Sequence, residues 1–234
     1  MEIDLNCDLG EGCAADADLM PLITSASVAC GFHAVDPATA LATFRAAAAS
    51  GVGVGAHPSF NDREHFGRRE LDVSEEKVFA ECVYQIGAVG ALAQVAGLTL
   101  SHLKAHGALY NRACREDAYA RPVIAAAERF GLPVFGLPGS RLEALSAGRC
   151  PFVAEGFADR RYLPDGSLVP RSRPEAFVED PREAVRQAEE LMRTRNVRTL
   201  CVHGDNPQAL AFVRELRAAL TQRGIEIRHF AARL

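Results

Sequence analysis

Short runs rich in β-branched and apolar residues alternate along the chain with longer, Ala-rich stretches of helical period. The runs Ile3–Asn6, Ser27–Cys30, Val52–Ala56, Leu100–Lys104, Val134–Leu137, Phe152–Glu155, Thr199–Val202 and Ile225–His229 predict strands. The stretches Pro37–Ser50, Glu75–Ala96, Ala118–Phe130, Arg141–Ser146, Pro181–Arg195 and Pro207–Arg223 predict helices. Asp36-Pro37, Asp180-Pro181 and Asn206-Pro207 each set a capping side chain before a proline in the first turn. Glu183 completes a capping-box pattern with Asp180, and Ser74 precedes the acidic pair Glu75-Glu76. Gly51, Gly97, Gly131 and Gly224 mark helix ends. Alternation of this kind with buried strands implies a mostly parallel sheet, because parallel neighbours need crossover helices. The stretch Asp159–Arg173 breaks it, and its Pro164-Asp165-Gly166 turn predicts a hairpin or lid.

The polar residues gather where these strands end. Asp4, Asn6 and Asp8 alternate with Ile3, Leu5, Cys7 and Leu9, so a period of two puts the polar groups on one face. Lys104 and His106 share a face by the same rule, as do His203 and Asp205. Strand two runs into His33, strand three into His57, and strand six into Glu155 with Asp159 and Arg160 behind it. Active sites of barrels and open α/β sheets collect at the carboxyl ends of strands. A lone histidine there is most often structural, and Asp36 and Asn206 read as helix caps. Asp4 reads as a hydrogen-bond partner of a neighbouring strand. A whole mouth of ionisable groups, however, is expensive to desolvate without a function. The candidate catalytic groups are therefore Asp8, His57, Lys104, His106, His203 and Asp205. Asn6, His33, Glu155, Asp159 and Arg160 are the candidate substrate-binding groups, and a metal would take Asp8, His57 and His106. His65, His102 and His229 lie elsewhere and read as structural.

Composition narrows the class. The 234 residues are 48% apolar and 24% charged with a net charge of −4, which excludes extensive disorder and fits one α/β domain over residues 1–234. The acidic balance and the absence of Trp argue against nucleic acid as a partner. No apolar run reaches the roughly 18 residues of a membrane helix, the nearest being Ile86 to Leu100. The first residues are acidic where a secretory signal would be basic, which predicts a cytoplasmic protein. Seven cysteines without a C-x-x-C argue against a disulfide framework or zinc knuckle and read mostly as small core residues. The Gly51-x-Gly53-x-Gly55 run lies in a strand, so it is no dinucleotide fingerprint, and neither a Walker loop nor a G-x-S-x-G elbow occurs.

In order along the chain stand DLNCDLGEG (4–12), SVACGFHAVDP (27–37), GAHPSFNDREHFGRRE (55–70), LKAHGALYN (103–111), EGFADRRYLPDGSLVPR (155–171) and CVHGDNPQA (201–209). Together these segments resemble the LamB/YcsF family, the A subunits of prokaryotic ATP-dependent 5-oxoprolinases. The resemblance runs from residue 4 to about residue 210, with Cys13-Ala14 and Ala105 departing from the usual pattern. It implies a (β/α) barrel of the seven-stranded glycoside hydrolase and deacetylase type. It also implies hydrolysis of 5-oxo-L-proline to L-glutamate, with ATP as co-substrate and subunits B and C as partners.

Opening a lactam sacrifices amide resonance, and phosphorylation of the amide oxygen by ATP would activate the carbon toward water. That chemistry calls for a base, donors for an oxyanion and a cation for the phosphoryl group. Asp8 with His57 or His203 suits the base, and Lys104 and Arg160 suit the anion. Glu155 and Asp205 would orient histidines or hold Mg²⁺. Two other classes fit the same residues: a metal-dependent hydrolase or deacetylase acting alone, and a non-catalytic subunit that binds substrate for its partners.

Overall fold

β1 (Glu2–Leu9) carries the logic of the fold. Its alternating polar and apolar residues are all buried from Ile3 onward, so both faces need an interior. The two interiors differ. Ile3, Leu5, Cys7 and Leu9 belong to the main apolar core. Asn6, on the other face, hydrogen-bonds Glu155 and Thr199 from strands far along the chain. A strand whose polar side chains meet those of distant strands must face the lumen of a closed sheet.

The computed structural model describes residues 1–204 and 208–233 and shows that closure. β2 (Ser25–Ala29), β3 (Gly53–His57), β4 (Leu100–Leu103), β5 (Val134–Gly136), β6 (Phe152–Phe157) and β7 (Thr199–Val202) follow in order, with β7 beside β1. β1 also pairs with β2, so seven parallel strands form a cylinder. The register sets Asp8 opposite Ser27 and Asn6 opposite Cys201. The crossovers are α2 (Pro37–Ser50), α3 (Glu75–Val95), α4 (Gly107–Arg115) with α5 (Asp117–Phe130), α6 (Arg141–Ser146) and α7 (Pro181–Arg195). The short α1 (Asp16–Leu19) follows β1, and α8 (Ala209–Gln222) follows β7. The Asp36, Ser74 and Asp180 side chains cap α2, α3 and α7, as their positions predict. Glu183 does not close a capping box, because its carboxylate pairs with Arg161.

Several expectations needed correction. α4 carries no sequence signal: no side chain caps it, and it starts at a glycine with φ +55°, so its helix rests on the buried stripe Ala108, Leu109, Ala113 and Cys114. The last strand shrinks to β8 (Glu226–Ile227), because it meets only Glu2 and Ile3 of β1 before the chain turns under the barrel. There Phe230 packs with Phe135 and Val153 as a plug. At 21 residues α3 is long and apolar enough to cross a membrane, although no uninterrupted apolar run marks it in the sequence. Its Val78, Cys82, Ile86, Val89 and Ala93 form a buried stripe at helical spacing within the core. The cap expected of Asn206-Pro207 lies outside the described residues.

Glycine on the lumen face of β3 creates space. A Cβ at Gly55 would lie 2.3 Å from the ring of His102, and one at Gly53 would lie 2.1 Å from that of His229. His57 is the third member of this face, and it is the one that reaches the mouth.

Candidate active site

The carboxyl ends of the strands surround a cavity of about 450 Å³. Asp8 ends β1, and Gly10 and Gly12, both at positive φ, turn the following chain so that Glu11 reaches back over the lumen. His57 ends β3, Lys104 and His106 follow β4, and His203 follows β7. All six of these ionisable residues line the cavity, together with Arg160. Its outer wall is the predicted hairpin, closed by a bridge between Tyr162 and Leu168.

Lys104 is the hub of the floor. Its ammonium donates to Asp8 Oδ1 at 2.8 Å, to Asn6 Oδ1 at 3.1 Å and to Cys201 Sγ at 3.0 Å, with Glu155 Oε1 at 2.9 Å. Three N–H groups are thereby committed, so Lys104 neutralises buried acids and is not a free donor. Asp8 Oδ2 lies 3.4 Å from His57 Nε2 and 4.0 Å from His203 Nε2. Burial by itself would raise the Asp8 carboxyl, but His57 and Lys104 outweigh it and hold the acid well below its usual range. Burial likewise disfavours charge on Lys104 and His57, and Asp8 reverses the balance, pushing both upward.

A second group stands beside it. Glu11 Oε1 lies 3.0 Å from His33 Nε2, 3.2 Å from His106 Nδ1 and 3.9 Å from His57 Nε2. Burial favours the neutral acid, yet hydrogen bonds from His106 and His33 bring Glu11 below its usual range. Burial pushes His33 down to about 3 and also lowers His106, against the pull of Glu11. Glu11, His33, His57 and His106 together offer the donor types of a divalent metal, and Asp8, Cys201 and His203 form a second such group. Of the trio Asp8, His57 and His106 expected for a metal, His57 and His106 fall in the first group with Glu11, and Asp8 falls in the second.

His203 is oriented from behind. Asp159 accepts its Nδ1–H at 2.8 Å and its backbone N–H at 3.0 Å, and Phe157 stacks on the ring. Burial works against the Asp159 charge, but His203 holds the carboxyl below its ordinary value. Arg160 is anchored by the Val169 and Ala176 carbonyls, and burial beside Arg171 brings it down to about 10. Of the five residues expected to bind substrate, Arg160 alone lines the cavity; Asn6, His33, Glu155 and Asp159 stand behind residues that do. Asp205 lies outside the described residues. Sequence reasoning passed over Glu11, because it falls three residues beyond Asp8 and off the strand alternation. Cys201 is buried in the core cluster, as expected of most of the cysteines, and it also accepts from Lys104 Nζ opposite Asn6 on the lumen face.

The comparisons agree with this architecture. The LamB/YcsF family model matches residues 3–234. A lactam utilization protein from Thermus thermophilus is 41% identical, over 97% of this chain and 99% of that one, with a TM-score of 0.89. A putative cellobiose-phosphate cleavage protein from Enterococcus faecalis shares the fold at 14% identity, over 99% and 98% of the two chains, with a TM-score of 0.63. A family 4 carbohydrate esterase from Streptomyces lividans does so at 12% identity, over 97% and 91%, with a TM-score of 0.54. With one family model spanning nearly every residue and a relative at 41% identity built on the same barrel, the chain belongs to the LamB/YcsF family.

Proposed function

We propose that this chain hydrolyses the ring amide of 5-oxo-L-proline to give L-glutamate, as the A subunit of an ATP-dependent 5-oxoprolinase working with subunits B and C. The observation that carries the reading is the Asp159–His203 pair at the rim of an acid-floored cavity, in a chain 41% identical to a lactam utilization protein. Asp159 takes the Nδ1–H, which leaves the His203 Nε2 lone pair on the cavity side to accept a proton from water. The hydroxide adds to the ring carbonyl carbon, the C–N bond breaks, and the nitrogen takes a proton to become the amine of glutamate. Asp8, kept ionised by Lys104 and His57, stabilises the imidazolium that forms on His203. Arg160, its guanidinium aimed by two carbonyls, pairs with the substrate carboxylate. ATP activates the amide oxygen by phosphorylation with loss of ADP, so that breaking the C–N bond leaves a γ-glutamyl phosphate, which a second water hydrolyses to glutamate and phosphate. The chain has no Walker loop, so the nucleotide is assigned to the partner subunits.

The test is glutamate release coupled to ATP hydrolysis, measured for this chain alone, for subunits B and C alone, and for all three. Turnover is expected only with all three, and His203→Ala is expected to abolish it. Full turnover by B and C without this chain, or an unimpaired His203→Ala variant, would overturn the reading. Tight binding of 5-oxoproline without turnover by the complete assembly would assign the chain a binding role instead.

A further inference from the structure

We propose that Glu11, His57 and His106 form a three-ligand site for a divalent transition metal of the zinc class, with His33 as the residue that positions Glu11. The inference concerns the same cavity but stands on coordination geometry alone, whatever amide the cavity opens. A carbonyl oxygen can only accept. Lys104 O accepts from His57 Nδ1 at 2.7 Å, and Phe66 O accepts from His106 Nε2 at 2.9 Å. His57 Nε2 and His106 Nδ1 are thereby the ring nitrogens turned away from the backbone, the two that a metal would take in exchange for their protons, and they face each other at 3.0 Å. A single proton can bridge one such pair, and once both nitrogens are deprotonated their lone pairs repel unless a positive centre lies between them. Backbone carbonyls that fix ring orientation in this way are the usual supports of metal-bound imidazoles.

The spacing fits a metal better than a single proton. Bonds of 2.0–2.1 Å to a tetrahedral zinc set donors about 3.4 Å apart. Here the triangle of His57 Nε2, His106 Nδ1 and Glu11 Oε1 has edges of 3.0, 3.2 and 3.9 Å. One proton could satisfy a single edge, whereas a cation satisfies all three. The three residues line the cavity, leaving a coordination position open on that side, and Asp8 Oδ2 stands 3.4 Å from His57 Nε2.

His33 is excluded from the same shell by its ring. It lies parallel to His106 within 1°, with centroids 3.8 Å apart. In-plane lone pairs of two stacked rings run side by side and cannot converge on one ion. His33 is also absent from the cavity lining, and its Nε2 meets Glu11 Oε1 at 3.0 Å. The loop above completes the clamp. Phe66 holds a left-handed φ of +55° that turns its carbonyl to His106. A side chain at Gly67 would come within 2.9 Å of His33 Cβ and 3.0 Å of His106 Cδ2.

The full chain, freed of any affinity tag and stripped with a chelator, is titrated with Co²⁺ and followed by its visible d–d absorption and by metal content. One Co²⁺ per chain in a low-coordinate spectrum, displaced by Zn²⁺, is expected. His33→Ala should keep that stoichiometry and lose about 10–100-fold in affinity, as for an orienting partner. His106→Ala and the isosteric Glu11→Gln should lose more, and Glu11→Gln carries the test should His106→Ala fail to fold. A spectrum no different from aqueous Co²⁺, or undiminished uptake by a folded His106→Ala or Glu11→Gln protein, overturns the site. Metal binding by a chain that gives no lactam turnover in the complete assembly upholds the site and defeats the functional reading. Full turnover in that assembly by a stripped chain that takes up no Co²⁺ does the reverse.

Discussion

β1 bears the same acid twice, four residues apart, and the two copies divide the barrel into unlike halves. Asp4 and Asp8 are both buried, at 1% and 8% exposure, so solvent does not separate them. Asp4 lies in the lower half among the hydroxyls of Thr24, Ser25 and Thr199, and burial raises its carboxyl despite those bonds. Asp8 lies in the upper half between Lys104 and His57, and its carboxyl falls. The histidines repeat the division. His102 below stacks on Phe135 at 4.1 Å and bonds Ser27 and Ser101, so every polar atom of its ring is satisfied. His57 and His106 above face each other and a cavity. A polar interior is thus not by itself a site. The lower half neutralises its polarity with hydroxyls and aromatics, while the upper half concentrates formal charge beside open space.

Removing the charge hub should show the contrast most strongly. Lys104→Met leaves Asp8 and Glu155 without their shared cation and is expected to lower stability by about 3–5 kcal/mol in denaturant unfolding. A loss under about 1 kcal/mol would mean that the upper half does not depend on it. Next comes Asp159→Asn, which disturbs the orientation of His203 without emptying any packed volume. Its kcat in the complete assembly should fall by about 10²–10⁴ while the melting temperature barely moves. An unchanged kcat would remove His203 as the base.

In the lower half the sensitive feature is packing. Gly55→Ala drives a methyl toward the His102 ring, which Phe135 holds from its other face, and should cost about 1–3 kcal/mol by calorimetry. Unchanged stability would show that His102 has room to move. The smallest effect, about 1 kcal/mol, is expected for Asp4→Asn, and its value lies in the pH dependence. A carboxyl raised by folding stabilises below its ordinary value and loses that contribution as pH rises through the folded one. A depressed carboxyl does the opposite, stabilising above its ordinary value and losing this as pH falls. In urea unfolding from pH 3 to pH 7, the penalty of Asp4→Asn should therefore shrink as pH rises, and that of Asp8→Asn should grow. Parallel profiles would refute the division.

Much of this was legible along the chain because it is local. Strand positions follow from apolar runs, helix starts from Asp-Pro pairs and caps, and the mouth residues from the alternation of Asp4, Asn6 and Asp8 carried to the strand ends. The hairpin was legible from Pro164-Asp165-Gly166. α4 was not, because only packing holds it, and Glu11 was not, because two left-handed glycines carry it back over the lumen.

What the sequence alone determined is an order: parallel strands with crossover helices, and ionisable groups at one set of strand ends. Which of those groups touch was decided by closure of the cylinder, because pairing β1 with both β2 and β7 brings residues 98, 149 and 193 positions apart into hydrogen-bond range. Only that closure sets His57 and His106 at the cavity with His33 behind Glu11, and makes Asp4 a strut and Asp8 a charged floor. Periodicity reports which way a side chain points, and the electrostatics depends on what stands opposite it.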